Sequence, residues 1–437
     1  MRDMNERLLQ YIWQFQYFNK TGLHTVCGEE LHVIHQGTFN VHQGPDFLDA
    51  RIRIGTNLWA GNVELHVHAS DWQRHAHDDD PNYDNVILHV VWKISGGDKG
   101  RKGLPVLSLE HRIPMLLINQ YQNWMNSRCF VPCEGQLSVA GDVVWKGWLD
   151  RLLFERLHRR SKTLVQWLGR NNFHWEETLW WLLARNFGQV VNADAFEEMA
   201  RTIPYSLLLK CGSRRQVMEA LLFGQCGLLE QESAEEYFQV LKREHDFLKK
   251  KHALRGIHVP VHFLRMRPAC FPTVRLAQLS ALVENISVLF SAVLTEDGPV
   301  PVKRLLNVGT SEFWDHHFTF DEASAYHVKK PGGAMLDSII INSIVPLLFT
   351  YGEYRKEEKY CIKALEWMRM LRAEKNGITK RFAAQGITVA NASDSQSLLE
   401  LKSEYCDRRR CLDCAVGNAI LRLPLSSRSS RSIQCPD

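Results

Sequence analysis

Three polar side chains alternate with apolar ones between Val63 and His68. Successive side chains of an extended strand point to opposite faces, so Glu64, His66 and His68 share one face. Burial of these groups without partners would cost several kcal/mol, so we expect them to line a cleft, bind an ion or hydrogen-bond one another. The alternation makes these three residues the first candidates for a functional site.

A second carboxylate precedes this strand. The Gly-Pro-Asp-Phe sequence of residues 44–47 is typical of a turn, which places Asp46 at the start of a predicted strand over residues 50–54. If this strand and the next form a hairpin around residues 55–57, Asp46 and Glu64 lie near the same end. The sequence thus predicts that two carboxylates converge.

Convergent carboxylates indicate a site for a divalent cation. Mg²⁺ and Mn²⁺ take oxygen ligands that neutralise their charge, while water and a substrate phosphate complete the coordination shell. With Asp46 and Glu64 as ligands, such an ion could activate water for attack on a phosphodiester. His66 and His68 extend the range of ions to iron, nickel and zinc, because imidazole also binds these metals.

One alternative gives the same residues a structural role. Glu64, His66 and His68 could form the solvated face of an antiparallel edge strand, where polar side chains face water and need no ligand. Asp46 would then only satisfy a turn. Side chains that diverge into solvent would support this alternative.

Further polar residues follow the strand. His75, His77 and His89 could belong to the same site, and so could the acidic run 78–80. Taken singly, each histidine is more often a surface residue, and we interpret the acidic run as a polar loop.

The elements that would position these residues are short. The apolar stripe from Asn5 to Phe18 has helical spacing, which predicts an amphipathic helix. Runs rich in β-formers predict five strands, and Ser70 to His77 predicts a short helix between the third and the fourth. The predicted strands cover residues 31–34, 50–54, 59–67, 86–94 and 106–109.

From Pro114 onward the periodicity is that of helices. We predict helices over residues 114–127, 143–168, 176–187, 216–222, 234–251, 273–289, 338–351, 358–371 and 395–405. The length of 437 residues exceeds the roughly 250 to 300 residues that one hydrophobic core supports. The chain is therefore predicted to be α+β, with an N-terminal α/β domain at residues 1–113, a mainly helical region at 114–423 and a disordered tail at 424–437.

The motif and the element order together resemble the PD-(D/E)xK nuclease superfamily. The resemblance rests on Pro-Asp at the second strand, on Glu-x-basic in the third, and on the order helix, three strands, helix, strand. It implies a mixed sheet, Asp46 and Glu64 as metal ligands, and DNA or RNA as the partner. It places His66 where the superfamily usually has its lysine. This is a departure from the pattern, and it bears on the catalytic role because histidine is neutral for much of the time near pH 7.

Four short segments also resemble an uncharacterised bacterial family of unknown function, over nearly the whole chain. They are Gly44-Pro45-Asp46-Phe47, Gly61-Asn62-Val63-Glu64-Leu65-His66, Arg267-Pro268 and Cys411-Leu412-Asp413-Cys414. This second resemblance implies no particular activity.

Three cysteines near the C-terminus have the spacing of metal ligands. Cys406, Cys411 and Cys414 form a C-x4-C-x2-C pattern, in which a CxxC turn lets two thiolates bind one ion. Zinc or an iron-sulfur cluster would take a fourth ligand. The candidates, in no order, are Cys133, Cys361, Cys270 and Cys129. Some nucleases related to the PD-(D/E)xK enzymes carry such a cluster C-terminal to the catalytic core, whereas the alternative is that Cys411 and Cys414 are simply buried thiols.

Basic and aromatic residues of the helical half favour structural roles. Two basic groups could contact phosphates, but we interpret them as solvated helix faces and ion pairs. They are Arg156, His158, Arg159, Arg160 and Lys162 in one group, and Arg265, Arg267 and Arg275 in the other. Aromatic residues are predicted to fill a helical core rather than to stack on bases, namely Trp175, Trp180, Trp181 and Phe187.

Composition excludes some classes and leaves others open. The net charge of +4 is mildly basic and neither requires nor excludes a nucleic acid. Charged residues interrupt the first ten positions, and the apolar runs are too short or too interrupted to cross a bilayer, so we expect neither secretion nor a membrane partner. Eleven scattered cysteines suit reduced thiols, which predicts a soluble cytoplasmic protein.

Three functional hypotheses follow from these residues. The first is a metal-dependent nuclease or nuclease-like protein in which Asp46 and Glu64 hold the ion and His66 orients or activates water. The second is a non-catalytic binding or scaffold protein that keeps the fold without the lysine. The third is a metalloenzyme that acts on a small molecule, with His66 and His68 among the ligands.

Overall fold

The β-forming runs between residues 23 and 108 assemble into one mixed sheet. The structure is a computed structural model that describes residues 4–94, 101–264 and 266–422, so the predicted tail at 424–437 lies outside the described residues. Within them, seven strands follow helix α1 (Glu6–Gln14). The strands are β1 (Leu23–His24), β2 (Glu30–His35), β3 (Thr38–Phe39), β4 (Phe47–Ile54), β5 (Asn57–His68), β6 (Val86–Lys93) and β7 (Val106–Ser108).

The strand order of this sheet is β1-β2-β4-β5-β6-β7, and β3 pairs with β4. The pairs from β1 to β5 are antiparallel, whereas β6 is parallel to both β5 and β7. A parallel neighbour requires a crossover, and the one between β5 and β6 contains helix α2 (Asp71–Arg74). The predicted order of helix, three strands, short helix and two strands is thus confirmed, and the two additional strands, β1 and β3, are too short to give a periodic pattern.

A two-residue turn that contains Gly55 joins β4 to β5. Gly55 has a φ of +56°, in the region that favours glycine. The register of this hairpin brings Phe47 opposite Val63. Because Asp46 directly precedes Phe47 and Glu64 directly follows Val63, the hairpin places the two acidic residues side by side. The hairpin predicted around residues 55–57 is confirmed.

The remainder of the described chain is mostly helical, as predicted. The helices are α3 (Met115–Asn126), α4 (Asp142–Arg170), α5 (Trp175–Phe187), α6 (Gln189–Thr202), α7 (Tyr205–Cys211), α8 (Arg215–Gln225), α9 (Glu236–His252), α10 (Pro272–Leu282), α11 (Ile286–Thr295), α12 (Pro299–Leu306), α13 (Glu312–Asp315), α14 (Gly333–Ile339), α15 (Val345–Arg355), α16 (Glu358–Met370), α17 (Gly377–Ala384), α18 (Ala392–Glu400) and α19 (Ala415–Arg422). Two π-helical segments, Ile340–Ile344 and Leu401–Cys406, follow α14 and α18. The protein is therefore α+β.

The chain divides into two compact units. One comprises the described residues up to Trp145 together with those from Lys402 onward, and the other comprises Lys146 to Leu401. The sheet and the C-terminal cysteines thus belong to the same unit. The predicted boundary between domains at residue 114 stays a prediction. The first compact unit extends beyond that residue and also includes the described residues from Lys402 onward.

The core of the unit 146–401 contains the aromatic residues that the sequence assigns to it. Trp180 and Phe187 are completely buried, Trp181 is nearly so, and Trp175 packs against the same cluster. Trp180 donates its indole N–H to the carbonyl of Ala200 at 3.2 Å, so its polar atom is satisfied. The prediction of a helical core for these residues is confirmed.

The basic residues of α4 make contacts within the helical unit. Arg156 and Arg159 both donate to the buried carboxylate of Glu400, and Arg160 donates to the carbonyl of Asn342 at 2.7 Å. The interpretation as ion pairs is confirmed for Arg156 and Arg159. Of the second basic group, Arg265 lies outside the described residues.

Two helical stretches are long and apolar enough to cross a membrane, by length and composition alone. They are Pro272–Thr295 and Gly333–Arg355. Within the protein, 61% and 72% of their most apolar windows are buried. Because the core helices of soluble proteins have the same character, these stretches are weak evidence for a membrane span.

Candidate active site

Asp46 and Glu64 form the centre of the candidate site. The backbone N–H of Asp46 donates to Glu64 Oε2 at 3.0 Å, and the backbone N–H of Leu65 donates to Asp46 Oδ2 at 3.1 Å. Each carboxylate is therefore held by the strand that carries the other one. The predicted convergence of Asp46 and Glu64 is present.

Helix α1 supplies two more polar residues to this pair. Gln10 donates from Nε2 to Asp46 Oδ1 at 2.8 Å, and Glu6 lies one helical turn before Gln10, within 3.4 Å of the same amide. Asn5 caps the helix by accepting from the N–H of Leu8. Neither Glu6 nor Gln10 was predicted for the site, although their i, i+4 spacing beside an apolar stripe is a signal that could have found them.

The electrostatics of the acidic pair disfavour its ionised form. Burial raises the pKa of the Asp46 carboxyl, and repulsion from Glu64 and Glu6 raises it further. Burial also raises the pKa of Glu64, and Glu6 adds to this effect. Ionisation of both carboxyls would concentrate negative charge in a poorly solvated place, and a bound cation would favour that ionisation.

His66 lies next to the pair and is completely buried. Its Nε2 is 3.6 Å from Glu64 Oε1 and 3.1 Å from His75 Nδ1, and its Nδ1 is 2.9 Å from His89 Nε2. Burial lowers the pKa of His66 to about 2, and the neighbouring imidazoles contribute. His66 is therefore neutral at physiological pH.

His77 completes a group of imidazoles on the same side. Its Nε2 lies 3.4 Å from Glu64 Oε1, and its ring stacks on that of Tyr83 with a centroid distance of 3.8 Å. One nitrogen each of His66, His75 and His77 lie within 4.8 Å of one another. His75, His77 and His89, which taken singly are more typical of a surface, thus all contact His66 or lie beside it.

His68 has a different location from the one predicted. It ends β5 with an exposed side chain, and its backbone N–H donates to Asp71 Oδ2 at 3.0 Å. Glu64 and His66, by contrast, are 4% and 0% exposed on an interior strand with a neighbour on each side. The alternative of a solvated edge strand is therefore wrong for Glu64 and His66, while the alternation correctly gives them a common face.

The acidic run 78–80 follows the histidines. Asp78 accepts from the indole N–H of Trp72 at 3.0 Å and pairs with Arg101, and Asp80 caps the 3₁₀ turn Pro81–Tyr83. Asp78 and Asp79 are exposed. The run is polar, as expected, but Asp78 and Asp79 belong to the 3₁₀ turn His77–Asp79 rather than to an irregular loop.

The donor set around the acidic pair fits a divalent cation. Asp46, Glu64 and Glu6 contribute carboxylate oxygens, which hard cations prefer. His77 Nε2 is buried and makes no hydrogen bond to the described residues, although Glu64 Oε1 lies 3.4 Å from it. The residues present therefore have both the charge and the unsatisfied polar atom that a cation would complement.

The C-terminal cysteines lie together in the first unit. Cys406, Cys411 and Cys414 are buried thiols, and so is Cys133, which precedes α4. Burial raises the pKa of Cys133, and the thiols of Cys414 and Cys411 raise it further. The segments that carry them are packed together, since Arg409 donates to the carbonyl of Ser127 and Lys402 lies over the Phe130 ring at 5.2 Å.

The other predicted partners of these cysteines have different surroundings. Cys361 and Cys270 belong to the unit 146–401, where the Cys361 thiol donates to the Phe349 carbonyl and Cys270 accepts from Arg275. Cys129 takes part in a disulfide. Of the four candidates for the fourth ligand, Cys133 is the one that the structure places among the three C-terminal cysteines.

The fold and the site define an α+β protein with a site of carboxylates and imidazoles, partly buried, on its mixed sheet. The chain belongs to the DUF2851 family of proteins of unknown function, whose family model matches residues 6–377. The match includes every residue of the acidic and histidine site and Cys133, and it ends before Cys406. No curated protein and no solved structure matches the chain significantly.

Proposed function

We propose that this protein is a metal-dependent nuclease or nuclease-like protein that hydrolyses phosphodiester bonds in DNA or RNA. The observation that carries the proposal is the pairing of half-buried Asp46 with buried Glu64, in which the Asp46 backbone N–H donates to Glu64 Oε2 at 3.0 Å and His66 lies beside Glu64. The order α1, three antiparallel strands, α2 and a parallel strand β6 supports the resemblance to the PD-(D/E)xK superfamily. Both carboxylates stand at the positions that this resemblance assigns to metal ligands.

Each residue has a defined part in the proposed reaction. Asp46 and Glu64 would hold Mg²⁺ or Mn²⁺, and Gln10 keeps Asp46 oriented through its amide N–H. A bound ion of this kind supplies a Lewis acid and lowers the pKa of water. His66, which remains neutral, is a poor proton acceptor and would therefore orient the water or a ligand rather than act as a general base.

Hydrolysis of a phosphodiester consumes one water molecule. The water oxygen forms a new bond to phosphorus, the bond from phosphorus to one sugar oxygen breaks, and that oxygen leaves with a proton. Among the residues that the structure describes, Glu64 pairs with the imidazoles of His66 and His77, and no lysine or arginine forms an ion pair with Asp46 or Glu64. Positioning the polyanion must therefore depend on basic residues farther along the sheet.

Two exposed arginines lie on the sheet face that carries the site. Arg53 pairs with Leu58 and Arg51 pairs with Ala60 in the β4–β5 register. Leu58 and Ala60 are an even number of residues from Glu64 along β5, so their side chains lie on the same face of the sheet as that of Glu64. The side chains of their β4 partners lie on this face as well. The exposed arginine side chains would provide phosphate contacts along the strand that leads to the site.

Arg51→Ala and Arg53→Ala are each expected to weaken nucleic-acid binding and to reduce its salt dependence. Each lost phosphate contact lowers the slope of log affinity against log salt by about 1. Fluorescence anisotropy with labelled DNA and RNA, in EDTA to prevent cleavage, measures the slope. Lys20→Ala removes an equal charge from the exposed turn before β1 and should leave the slope unchanged. Equal slopes for all variants would contradict a role for this face.

A substrate panel tests the proposed activity. The purified full-length protein is incubated with labelled single- and double-stranded DNA and RNA in Mg²⁺, Mn²⁺ or EDTA. The proposal expects products from at least one polymer with a divalent cation and none in EDTA. Binding of a polymer without cleavage under any condition would favour the non-catalytic scaffold hypothesis instead.

We also propose a structural metal at the cysteine cluster, held by Cys133, Cys406, Cys411 and Cys414. These four thiols are buried, Cys133, Cys411 and Cys414 affect the pKa of Cys406, and their number is the ligand number of zinc or of an iron-sulfur cluster. Such an ion would tie the segment after Lys402 to the loop around Cys133 within the first unit. We further propose a cytoplasmic location with no membrane partner, where such thiols stay available to a metal.

A further inference from the structure

Three imidazoles and one carboxylate converge on one point beside the acidic pair. The ring nitrogens of His66, His75 and His77 lie within 4.8 Å of one another. Glu64 Oε1 lies 3.6 Å from His66 Nε2 and 3.4 Å from His77 Nε2, while its other oxygen accepts from the Asp46 N–H. Glu64 thus has one oxygen for the acidic pair and one for the histidines.

The contact between His66 and His89 accommodates the tautomer of His66 that can bind a metal. With its proton on Nδ1, His66 donates to His89 Nε2 at 2.9 Å and keeps a lone pair on Nε2. An imidazole that binds a metal through one nitrogen generally donates the other N–H to a fixed acceptor. In this tautomer His66 has the arrangement of a metal-binding histidine, with His89 as the group that orients it.

The other two histidines can offer nitrogens to the same point. His77 Nε2 is buried and makes no hydrogen bond to any described residue. His75 Nδ1 lies 3.1 Å from His66 Nε2. Because the His75 side chain is exposed, water can carry its proton from one ring nitrogen to the other, which leaves a lone pair on the nitrogen that faces the site. Neither histidine needs to leave a strong hydrogen bond to a charged group in order to bind an ion.

We propose that His66, His75, His77 and Glu64 bind a transition-metal ion of the class of zinc, manganese, cobalt or iron. Imidazole nitrogens favour these ions, whereas Mg²⁺ and Ca²⁺ prefer oxygen ligands. The inference deepens the proposed function and rests on it for its biological meaning, because it assigns a metal-binding role to the histidine that replaces the usual lysine. The ion-binding site itself can be measured without any substrate.

A cobalt titration of the untagged, full-length protein tests the site. Visible ligand-field absorption reports cobalt bound by nitrogen and oxygen, while thiolate-to-cobalt charge-transfer bands report the cysteine cluster separately. His75→Ala and His77→Ala are expected to weaken cobalt binding at the histidine site at least about tenfold. His68→Ala is the matched control, since it removes an exposed imidazole from the same strand and should leave the affinity unchanged.

The outcomes separate this inference from the proposed function. Equal cobalt affinity in wild type, His75→Ala and His77→Ala, or no ligand-field absorption in wild type beyond the thiolate bands, would overturn the inference. Circular dichroism and thermal melting verify that the variants fold. If His77→Ala does not fold, the cobalt affinity of His75→Ala alone decides whether the inference holds. Cobalt binding that depends on His75 in a protein that cleaves no nucleic acid would uphold this inference while refuting the nuclease proposal.

Discussion

Glu64→Gln is expected to abolish metal-dependent phosphodiester cleavage while leaving the protein folded. The substitution keeps the shape of the side chain and an oxygen that can accept from the Asp46 N–H. It removes the negative charge on which a divalent cation depends, so the rate should fall on the order of 10²- to 10³-fold or more. The measurement is the initial rate of cleavage of the best polymer from the substrate panel, at saturating Mg²⁺ or Mn²⁺.

Stability separates a functional role of Glu64 from a structural one. In metal-free solution the ionised pair is disfavoured by burial and by repulsion, so the neutral amide should melt at the same temperature as wild type or higher. Glu29→Gln, at an exposed position before β2, is the matched control and should retain both activity and stability. A Glu64→Gln protein that unfolds, or that cleaves as fast as wild type, would contradict the role assigned to Glu64.

Cys133→Ala is expected to lower the free energy of unfolding by several kcal/mol and to release a metal ion. Structural metal sites contribute their binding free energy to folding, and the loss of one ligand of four removes most of it. The measurement combines denaturant unfolding with metal analysis and a visible absorption spectrum after anaerobic purification. Zinc gives no visible absorption from the ion itself, whereas an iron-sulfur cluster does, so the spectrum distinguishes them.

A cysteine buried in the helical unit provides the control for this prediction. Cys211→Ala removes a buried, free thiol from α7 in the other unit and should cost only about 1 kcal/mol. The difference between the two variants measures the contribution of the metal. Equal costs for Cys133→Ala and Cys211→Ala, together with a metal-free wild-type protein, would remove the metal site from the account.

Much of the N-terminal fold follows from local patterns in the sequence. The alternation along β5 gives Glu64 and His66 a common face, and the turn at Gly55 sets the hairpin that brings Asp46 beside Glu64. Both signals act over fewer than about twenty residues, where periodicity and turn chemistry are informative. The strand order beyond this hairpin depends on the crossover through α2, which a short helical pattern also indicates.

The remaining site residues come from contacts that no local pattern contains. Gln10 reaches Asp46 because α1 packs on the sheet, and His77 turns toward Glu64 because two short 3₁₀ turns replace a continuous helix after α2. His68 continues the alternation of β5 but lies at its exposed end. Burial along a strand depends on what covers each position, and that is a property of the tertiary structure.

The return of the C-terminal segment to the first unit is a further long-range feature. Cys133 and Cys406 are far apart in the sequence, and the spacing of the last three cysteines carries no information about the fourth. The predicted helices do not include the short helices α7 and α12, which have seven and eight residues and present few turns from which an apolar stripe can be read. These elements depend on packing within their own unit for their stability.

The most direct test of the central claim is the cleavage rate of the wild-type protein beside Asp46→Ala, measured with the same labelled polymer across a titration of Mn²⁺. The Asp46 side chain accepts hydrogen bonds from Gln10 and Leu65 and from none of the three histidines, so this variant removes a carboxylate of the acidic pair without removing a ligand of the histidine site. The account predicts cleavage that rises with Mn²⁺, disappears in EDTA and is lost in Asp46→Ala. Cleavage at equal rates by both proteins, or no cleavage by wild type at any Mn²⁺ concentration, would contradict it.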